Sequence, residues 1–432
     1  MARLLIKNGR VIDPSAGFDR IADVLIEDGL VAAVESNLAA AGGEVRDASG
    51  CIVAPGFIDM HVHLRDPGME HAETIESGAR AAAAGGFTSI CAMPNTQPVN
   101  DSPTVTSYIV ERARRVAVTN VFPIGAITRN SAGEELAAIG SMKRAGVVAI
   151  SDDGRPVMNA RLLRRAMEFA KSFDLPVIEH CEDLNLSAGG DMHEGVSSTR
   201  LGLRGIPSCS EDVMVARDIL LAEVTGARFH VAHISSRHSI AMVAEAARKG
   251  LPVTCEATPH HFSLSDADVP PYDSNYKMKP PLRAACDVGA VIEGIASGTV
   301  EAIATDHAPH PGSEKMQEFE RCPFGVIGLE TALGLALERL LYPGKISLAR
   351  LVALFTVGPE KVLRLGRGTL ARGAPGDVTV FDTGFEWTYD VNRSYSKSRN
   401  SPFDNRRFRG GPVMTVVAGK VVWTREDGLL AP

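Results

Sequence analysis

The chain has 432 residues, with 45 Lys+Arg against 52 Asp+Glu and a formal net charge of −7. Its content of 45% hydrophobic and 22% charged residues excludes a disordered or fibrous chain, and the mild acidity leaves no basic footprint for nucleic acid. Seven scattered cysteines without a C-x-x-C exclude a disulfide framework or a zinc ribbon and fit a reducing compartment.

At the start of the chain, Leu4 to Ile6 is the only apolar run before Lys7, too short for a signal-peptide core. No stretch approaches the ~20 apolar residues of a membrane span, so the expectation is a cytoplasmic protein without membrane contact. Leu4 to Ile6 and Val11 to Ile12 flank Asn8-Gly9, and Val24 to Ile26 and Leu30 to Val34 flank Asp28-Gly29. Both dipeptides accept the positive φ of tight hairpin turns, so each predicts a pair of short antiparallel strands.

From about residue 55 the pattern becomes short apolar runs alternating with helical stretches, the sign of β/α units around a parallel sheet. Strands are predicted at Phe57 to His63, Phe87 to Met93, Asn120 to Ala126, Val147 to Ser151, Pro176 to His180, Phe229 to Ile234, Pro252 to Glu256 and Glu301 to Asp306. Helices are predicted between them, at Glu73 to Ala84, Pro103 to Val116, Ala160 to Phe173, Glu211 to Val224 and Ser239 to Lys249, with another at Gly328 to Leu341 after the eighth. Eight such units predict an α/β fold of the (β/α)8 TIM-barrel type. Near the end, Asp377 to Phe381, Val413 to Val417 and Lys420 to Trp423 again read as strands. Isolated hairpins are marginal in water, so the two terminal segments are expected to pack together as one small β domain. The expected division is 1–54 and 366–432 for the two parts of that domain and 55–365 for the barrel.

Barrel chemistry sits where strands end. The first strand ends in Asp59-Met60-His61-Val62-His63-Leu64-Arg65, the second in Pro94-Asn95, the fourth in Asp152-Asp153-Gly154, the fifth in Glu179-His180-Cys181. The sixth ends in His233-Ile234-Ser235, the seventh in Pro259-His260-His261 and the eighth in Thr305-Asp306-His307. His61 and His63 stand two apart on a strand, so both imidazoles face one side and reach one metal ion. Chance alone predicts about 0.3 H-x-H pairs in a chain with 12 His, so the motif gains weight only from its company: His180, His233 and Asp306 each close a different strand. Imidazole and carboxylate ligands without thiolates suit Zn²⁺ or another borderline divalent ion, with room for a water lowered to a pKa near 7 that attacks an amide-like bond. Two ions need a bridging anion, for which Asp153 is the candidate. Adjacent Asp152 reads as a turn carboxylate or local cap.

Assembled in order, Pro55-Gly56-Phe57-Ile58-Asp59-Met60-His61-Val62-His63-Leu64-Arg65-Asp66-Pro67-Gly68, Met93-Pro94-Asn95-Thr96, Ser151-Asp152-Asp153-Gly154, Glu179-His180-Cys181-Glu182, Val231-Ala232-His233-Ile234-Ser235-Ser236, Pro280-Pro281-Leu282-Arg283 and Ala304-Thr305-Asp306-His307-Ala308-Pro309-His310 resemble the amidohydrolase superfamily. Within it, nearly the whole chain looks like the long-chain bacterial dihydroorotases. The resemblance implies a distorted (β/α)8 barrel with a small β-sandwich built from both termini, and a reversible cyclisation of N-carbamoyl-L-aspartate to L-dihydroorotate in de novo pyrimidine synthesis. It implies His61, His63, Asp153, His180, His233 and Asp306 as metal ligands, with Asp306 also the proton shuttle. The implied cofactor is zinc, one or two ions per chain, and the two-ion form with Asp153 bridging is preferred. His63, Arg65, Asn95, His310, Phe324 and Gly325 are the implied substrate contacts.

Related hydantoinases and allantoinases place a carboxylated Lys at the fourth strand end. Here Asp153 stands there, which favours a dihydroorotase over another cyclic amidase. Lys279 stands where well-known members have an Asn that touches substrate. Retention of all six ligand positions argues against a third reading, a non-catalytic partner of aspartate transcarbamoylase. A homodimer and association with that transcarbamoylase are the partner expectations. The stretch from Pro311 to Cys322 reads as a mobile flap or a disordered surface loop, and Cys181 as a buried small hydrophobe.

Overall fold

Two large sheets and one two-stranded ribbon hold the strands of the computed structural model, which describes residues 2–40 and 42–430. Met1, Ala41, Ala431 and Pro432 lie outside the described residues. The amino-terminal strands are β1 (Arg3–Asp13), β2 (Phe18–Glu27), β3 (Leu30–Glu35), β4 (Glu44–Asp47) and β5 (Ile52–Pro55). The barrel strands are β6 (Phe57–Val62), β7 (Phe87–Ala92), β8 (Asn120–Gly125), β9 (Ala149–Ser151) and β10 (Val177–Glu179), then, after a two-stranded ribbon of β11 (Met192–His193) and β12 (Gly205–Ile206), β13 (Phe229–Val231), β14 (Val253–Ala257) and β15 (Ala302–Ile303). Last come β16 (Val378–Thr388), β17 (Arg407–Val417), β18 (Lys420–Thr424) and β19 (Gly428–Leu429).

The eight barrel strands are parallel and ordered as in the sequence, β6 to β15. Strands β6 and β7 are buried at every position, as expected when both faces of a parallel strand are covered. Beyond the last strand, the seam closes on side chains and loop backbone. Asp59 accepts from the Thr305 backbone N at 3.1 Å and from Thr305 Oγ1 at 2.6 Å, and the His63 backbone N donates to His307 O at 2.8 Å.

Helices alternate with the strands, and their ends follow local chemistry. Thr74 and Ser77 form a reciprocal cap at the start of Ile75–Ala84, Pro103 opens Pro103–Val116, and Asn159 caps Ala160–Lys171. The helix expected from Gly328 begins only at Ala332; ahead of it, the Gly328 N–H donates to His307 Nδ1 at 3.2 Å.

The two ends of the chain meet in a nine-stranded sheet joined where β16 pairs antiparallel with β5. Its own apolar core draws on both ends, with Leu4, Ile6, Val24 and Val53 against Val378, Val380, Met414 and Val416. The Asp28-Gly29 hairpin forms as predicted, with φ of 48° and 83°. Asn8-Gly9 does not turn the chain: β1 runs straight through it with a bulge in its pairing to β2. Asn8 takes a φ of 63°, and a Cβ on Gly9 would lie 2.4 Å from Val53 Cγ2, so the dipeptide serves a close approach between strands.

Phe57, fully buried at the start of β6, stacks on Phe355 at 5.0 Å between centroids and meets Phe381 of β16 at 5.8 Å. It thereby ties the barrel floor to the terminal sheet. Phe57→Ala is expected to cost about 3–5 kcal/mol, read as a lowered denaturant midpoint, with the ligand cluster at the opposite strand ends unaltered.

Candidate metal centre

Six side chains named from the sequence meet at the carboxyl ends of the barrel strands. His61 on β6 points Nε2 to within 3.4 Å of both Asp153 Oδ1 and Asp306 Oδ1. His63, in the turn that follows, brings Nε2 to 3.0 Å from Asp306 Oδ1 and 3.4 Å from Asp153 Oδ2. His233 Nε2 lies 3.4 Å from Asp153 Oδ1 and 2.9 Å from His180 Nδ1. Three overlapping groups have ligand atoms close enough to hold an ion: His61 with His233 and Asp306, His61 with His63 and Asp153, and Asp153 with His180 and His233. Asp153 belongs to two of them and lies between the two histidine pairs.

Backbone strain helps aim these groups. His233 and Asp306 leave the strand with φ of 33° and 48°, a region an L side chain enters at a cost. The neighbouring Asp152 turns away from the cluster and accepts from the Ile127 and Thr128 backbone N–H groups at 2.8 and 3.1 Å, so it caps the end of β8, the bland role read from the sequence.

Electrostatics and unmet hydrogen-bonding both fit a cation. His61 Nε2 and Asp153 Oδ1 are buried without a hydrogen-bond partner, although each has close neighbours. Burial works against charge on His61, yet Asp153 and Asp306 outweigh it and hold the imidazole well above its ordinary pKa. Burial likewise opposes ionisation of Asp153 and Asp306, but His61 foremost and the other imidazoles hold both carboxyls far below their ordinary range. Two buried carboxylates thus demand positive charge at this point, and donors limited to imidazole and carboxylate suit a borderline divalent ion.

Each of three imidazoles is oriented from behind. His61 Nδ1 lies 2.7 Å from Glu256 Oε1, His63 Nδ1 2.8 Å from Asn95 Oδ1, and His180 Nε2 2.9 Å from Glu182 Oε2. Such partners fix tautomer and ring orientation. The sequence reading gave Glu256 and Glu182 no role. Glu182 stands two residues from His180, a signal that was available, whereas Glu256 is 195 residues from His61 and only the fold joins them.

A cavity of about 520 Å³ opens over the cluster, lined by His63, Arg65, Asn95, Asp153, His180, His233, Asp306, His310, Phe324 and Gly325 among others. Only His61 of the named residues lies beneath its floor. A larger cavity of about 590 Å³ lies against the terminal sheet, beside Trp387 and Trp423, and none of the three ligand groups borders it. Arg65 is buried, with φ of 59°, and donates to Pro309 O and toward His310 Nε2, each at 3.2 Å. Among the described residues it makes no ion pair with Asp59 or Asp66; burial lowers its pKa, while Asp306 and Asp153 foremost act in the opposite direction on its charge. Burial and the adjacent guanidinium push His310 down to about 3, which leaves Arg65 as the permanent cation of the pair. Gly325, at φ 138°, lies so close to Ala308 that a Cβ would meet it at 2.8 Å. Arg155, absent from the sequence-based set, also borders the cavity, two residues after Asp153.

In the segment from Pro311 to Cys322, Lys315, Phe319 and Cys322 are buried while most of the other residues are exposed. Gly312–Lys315 is helical, and buried Lys315 donates to the carbonyls of Lys277, Pro323 and Gly325 at 3.3, 3.0 and 3.1 Å. His261 is tied to Pro280 O at 2.9 Å and Thr258 Oγ1 at 2.7 Å, a structural role.

Residues 50–239 match the family model described as Dihydro-orotase-like. A dihydroorotase of Solibacter usitatus is 72% identical over 98% of this chain and 99% of its own, and one of Pelotomaculum thermopropionicum is 54% identical over 97% and 98%. Among solved structures, an L-hydantoinase (dihydropyrimidinase) of Arthrobacter aurescens superposes with a TM-score of 0.90 at 25% identity, covering 100% of this chain and 98% of that one. A barrel with this donor set, matched end to end at such identity, belongs to the dihydroorotase family of the amidohydrolases.

Proposed function

We propose that the chain catalyses the reversible cyclisation of N-carbamoyl-L-aspartate to L-dihydroorotate, with loss of water, in de novo synthesis of UMP. The observation that supports the substrate choice is Arg65, a buried cation that lines the same cavity as the ligand cluster. A ring bearing a carboxylate needs such a partner, and a neutral ring does not.

His61, His63, Asp153, His180, His233 and Asp306 would hold zinc, one ion or two with Asp153 between them. Bound there, zinc polarises the reacting carboxyl or amide oxygen and stabilises the charge that gathers on it. Arg65 and the Asn95 amide hold the substrate carboxylate that both forms share, His63 borders it, and the backbone at Phe324 and Gly325 meets the ring. In ring closure the ureido nitrogen attacks the side-chain carboxyl carbon, a C–N bond forms and a C–O bond breaks. Asp306 takes the proton from that nitrogen and passes it to the departing oxygen, which leaves as water after a second proton arrives from solvent. Hydrolysis runs the same steps backwards, so Asp306 then accepts from water and returns the proton to the ring nitrogen.

The likeness to hydantoinases favours one rival, a cyclic amidase acting on uncharged rings. Arg65→Met separates the two. Loss of one charge-assisted contact is expected to raise KM for dihydroorotate about 10- to 100-fold, while any turnover of hydantoin stays unchanged. Equal loss on both substrates would remove the case for an anionic ring.

No helix among the described residues is long and apolar enough to cross a membrane. The remaining expectations are offered on the same footing: a cytoplasmic location, division of the chain at 54/55 and 365/366, a homodimer, and association with aspartate transcarbamoylase. Sedimentation of the chain alone and with the transcarbamoylase tests the assemblies.

A further inference from the structure

The three partners behind the imidazoles differ in one respect. Glu256 is engaged by His61 and by His230, and Asn95 is an uncharged amide. Glu182 alone is gripped by a cation from the cavity wall: Lys279 Nζ lies 2.8 Å from its Oε1 and 3.2 Å from its Oε2. The same ammonium lies 4.9 Å from the centroid of the Phe324 ring, and its side chain is about a quarter exposed. Lys279 therefore spans three pieces of chain, the turn after β10, the Lys279 segment itself and the Phe324 loop.

We propose that Lys279 is a positioning residue for the metal centre rather than a contact to substrate. It fixes Glu182 so that His180 keeps Nε2 turned to that carboxylate and Nδ1 turned to Asp153 and His233. Two features support this. The ammonium is already committed to both oxygens of Glu182, and the carboxylate it grips is the one that touches His180. Pairing also cancels a negative charge beside a cavity that must admit a substrate with two carboxylates. An Asn at this position would hold Glu182 by one neutral hydrogen bond without cancelling its charge. The inference rests on the zinc reading above.

The test is a chelator-competition titration of the full-length chain with zinc alone, alongside steady-state turnover of dihydroorotate. Lys279→Met is expected to weaken zinc binding about 10- to 100-fold, the range for loss of a partner behind a ligand. Glu182→Gln should do the same, and the double variant should bind zinc no more than about threefold worse than Glu182→Gln alone, because the two act in series. Lys279→Arg should restore affinity to within about threefold of the wild type. Zinc-free melting curves identify any variant that fails to fold, in which case Lys279→Gln replaces Lys279→Met. Unchanged zinc affinity in folded Lys279→Met overturns the proposal. So does a rise in KM that persists undiminished in the Glu182→Gln background, the mark of direct substrate contact. A wild-type chain that binds no zinc removes the metal reading itself, an outcome distinct from both.

Discussion

Asp306→Asn is expected to lower kcat for dihydroorotate hydrolysis by about 10³-fold, within the 10²–10⁴ that a positioned acid–base group supplies. The substitution keeps shape and removes the carboxylate proposed as the proton acceptor. KM should move less than about threefold, because the proposed carboxylate contacts, Arg65 and Asn95, are separate side chains from Asp306. Zinc content should largely persist, since two of the three ligand groups, His61 with His63 and Asp153, and Asp153 with His180 and His233, do not include Asp306. Turnover within tenfold of the wild type would take the proton shuttle away from this residue. The assay is absorbance loss of the ring amide, with metal content measured on the same sample.

Asp153→Ala is expected to fail differently, through loss of the ions themselves. Asp153 contributes to both of the groups that survive in Asp306→Asn and lies between 3.4 and 3.7 Å from four imidazoles. Without it those rings lose the carboxylate that lies among all four of them, and Asp306 is the one carboxylate left in the three ligand groups. Zinc should fall to less than one ion per chain, and turnover by about 10³-fold or more, as several kcal/mol of Lewis-acid stabilisation disappear. A variant that retains two ions and near-normal turnover would mean that the bridge lies elsewhere. The contrast between the two variants, one full of metal and slow, the other depleted and slow, separates the proton role from the ligand role.

Much of the architecture was legible in the sequence, and the physical reasons are specific. Strands such as Phe57–Val62 and Phe87–Ala92 are covered on both faces, so they appear as mostly apolar runs whose few polar residues, Asp59 and His61 in the first and Thr88 and Ser89 in the second, are buried with them. The eighth run was read as far as Asp306, whereas β15 stops at Ile303. There, the backbone must leave strand geometry to aim Asp306 at the cluster, as its φ of 48° records. Asn8-Gly9 misled for a related reason. The dipeptide permits positive φ whether the chain turns or bulges, and the deciding contact comes from Val53, far along the sequence. The convergence of His61, His180 and His233 followed from strand order alone, because every strand end of a barrel faces one mouth. Glu256 behind His61 did not, since only tertiary packing relates a carboxylate on β14 to an imidazole on β6.

The join between β5 and β16 pairs Val53 with Val380 and Ile52 with Phe381. A growing polypeptide therefore emerges from the ribosome with one rim of β5 bare, and some 320 residues must follow before its mate is made. Until then that rim offers unmet amide groups to any extended neighbour. Messages cut short before β16 are thus expected to yield sticky products even when every barrel strand has been translated, which makes the tail a seal on the head rather than an appendage.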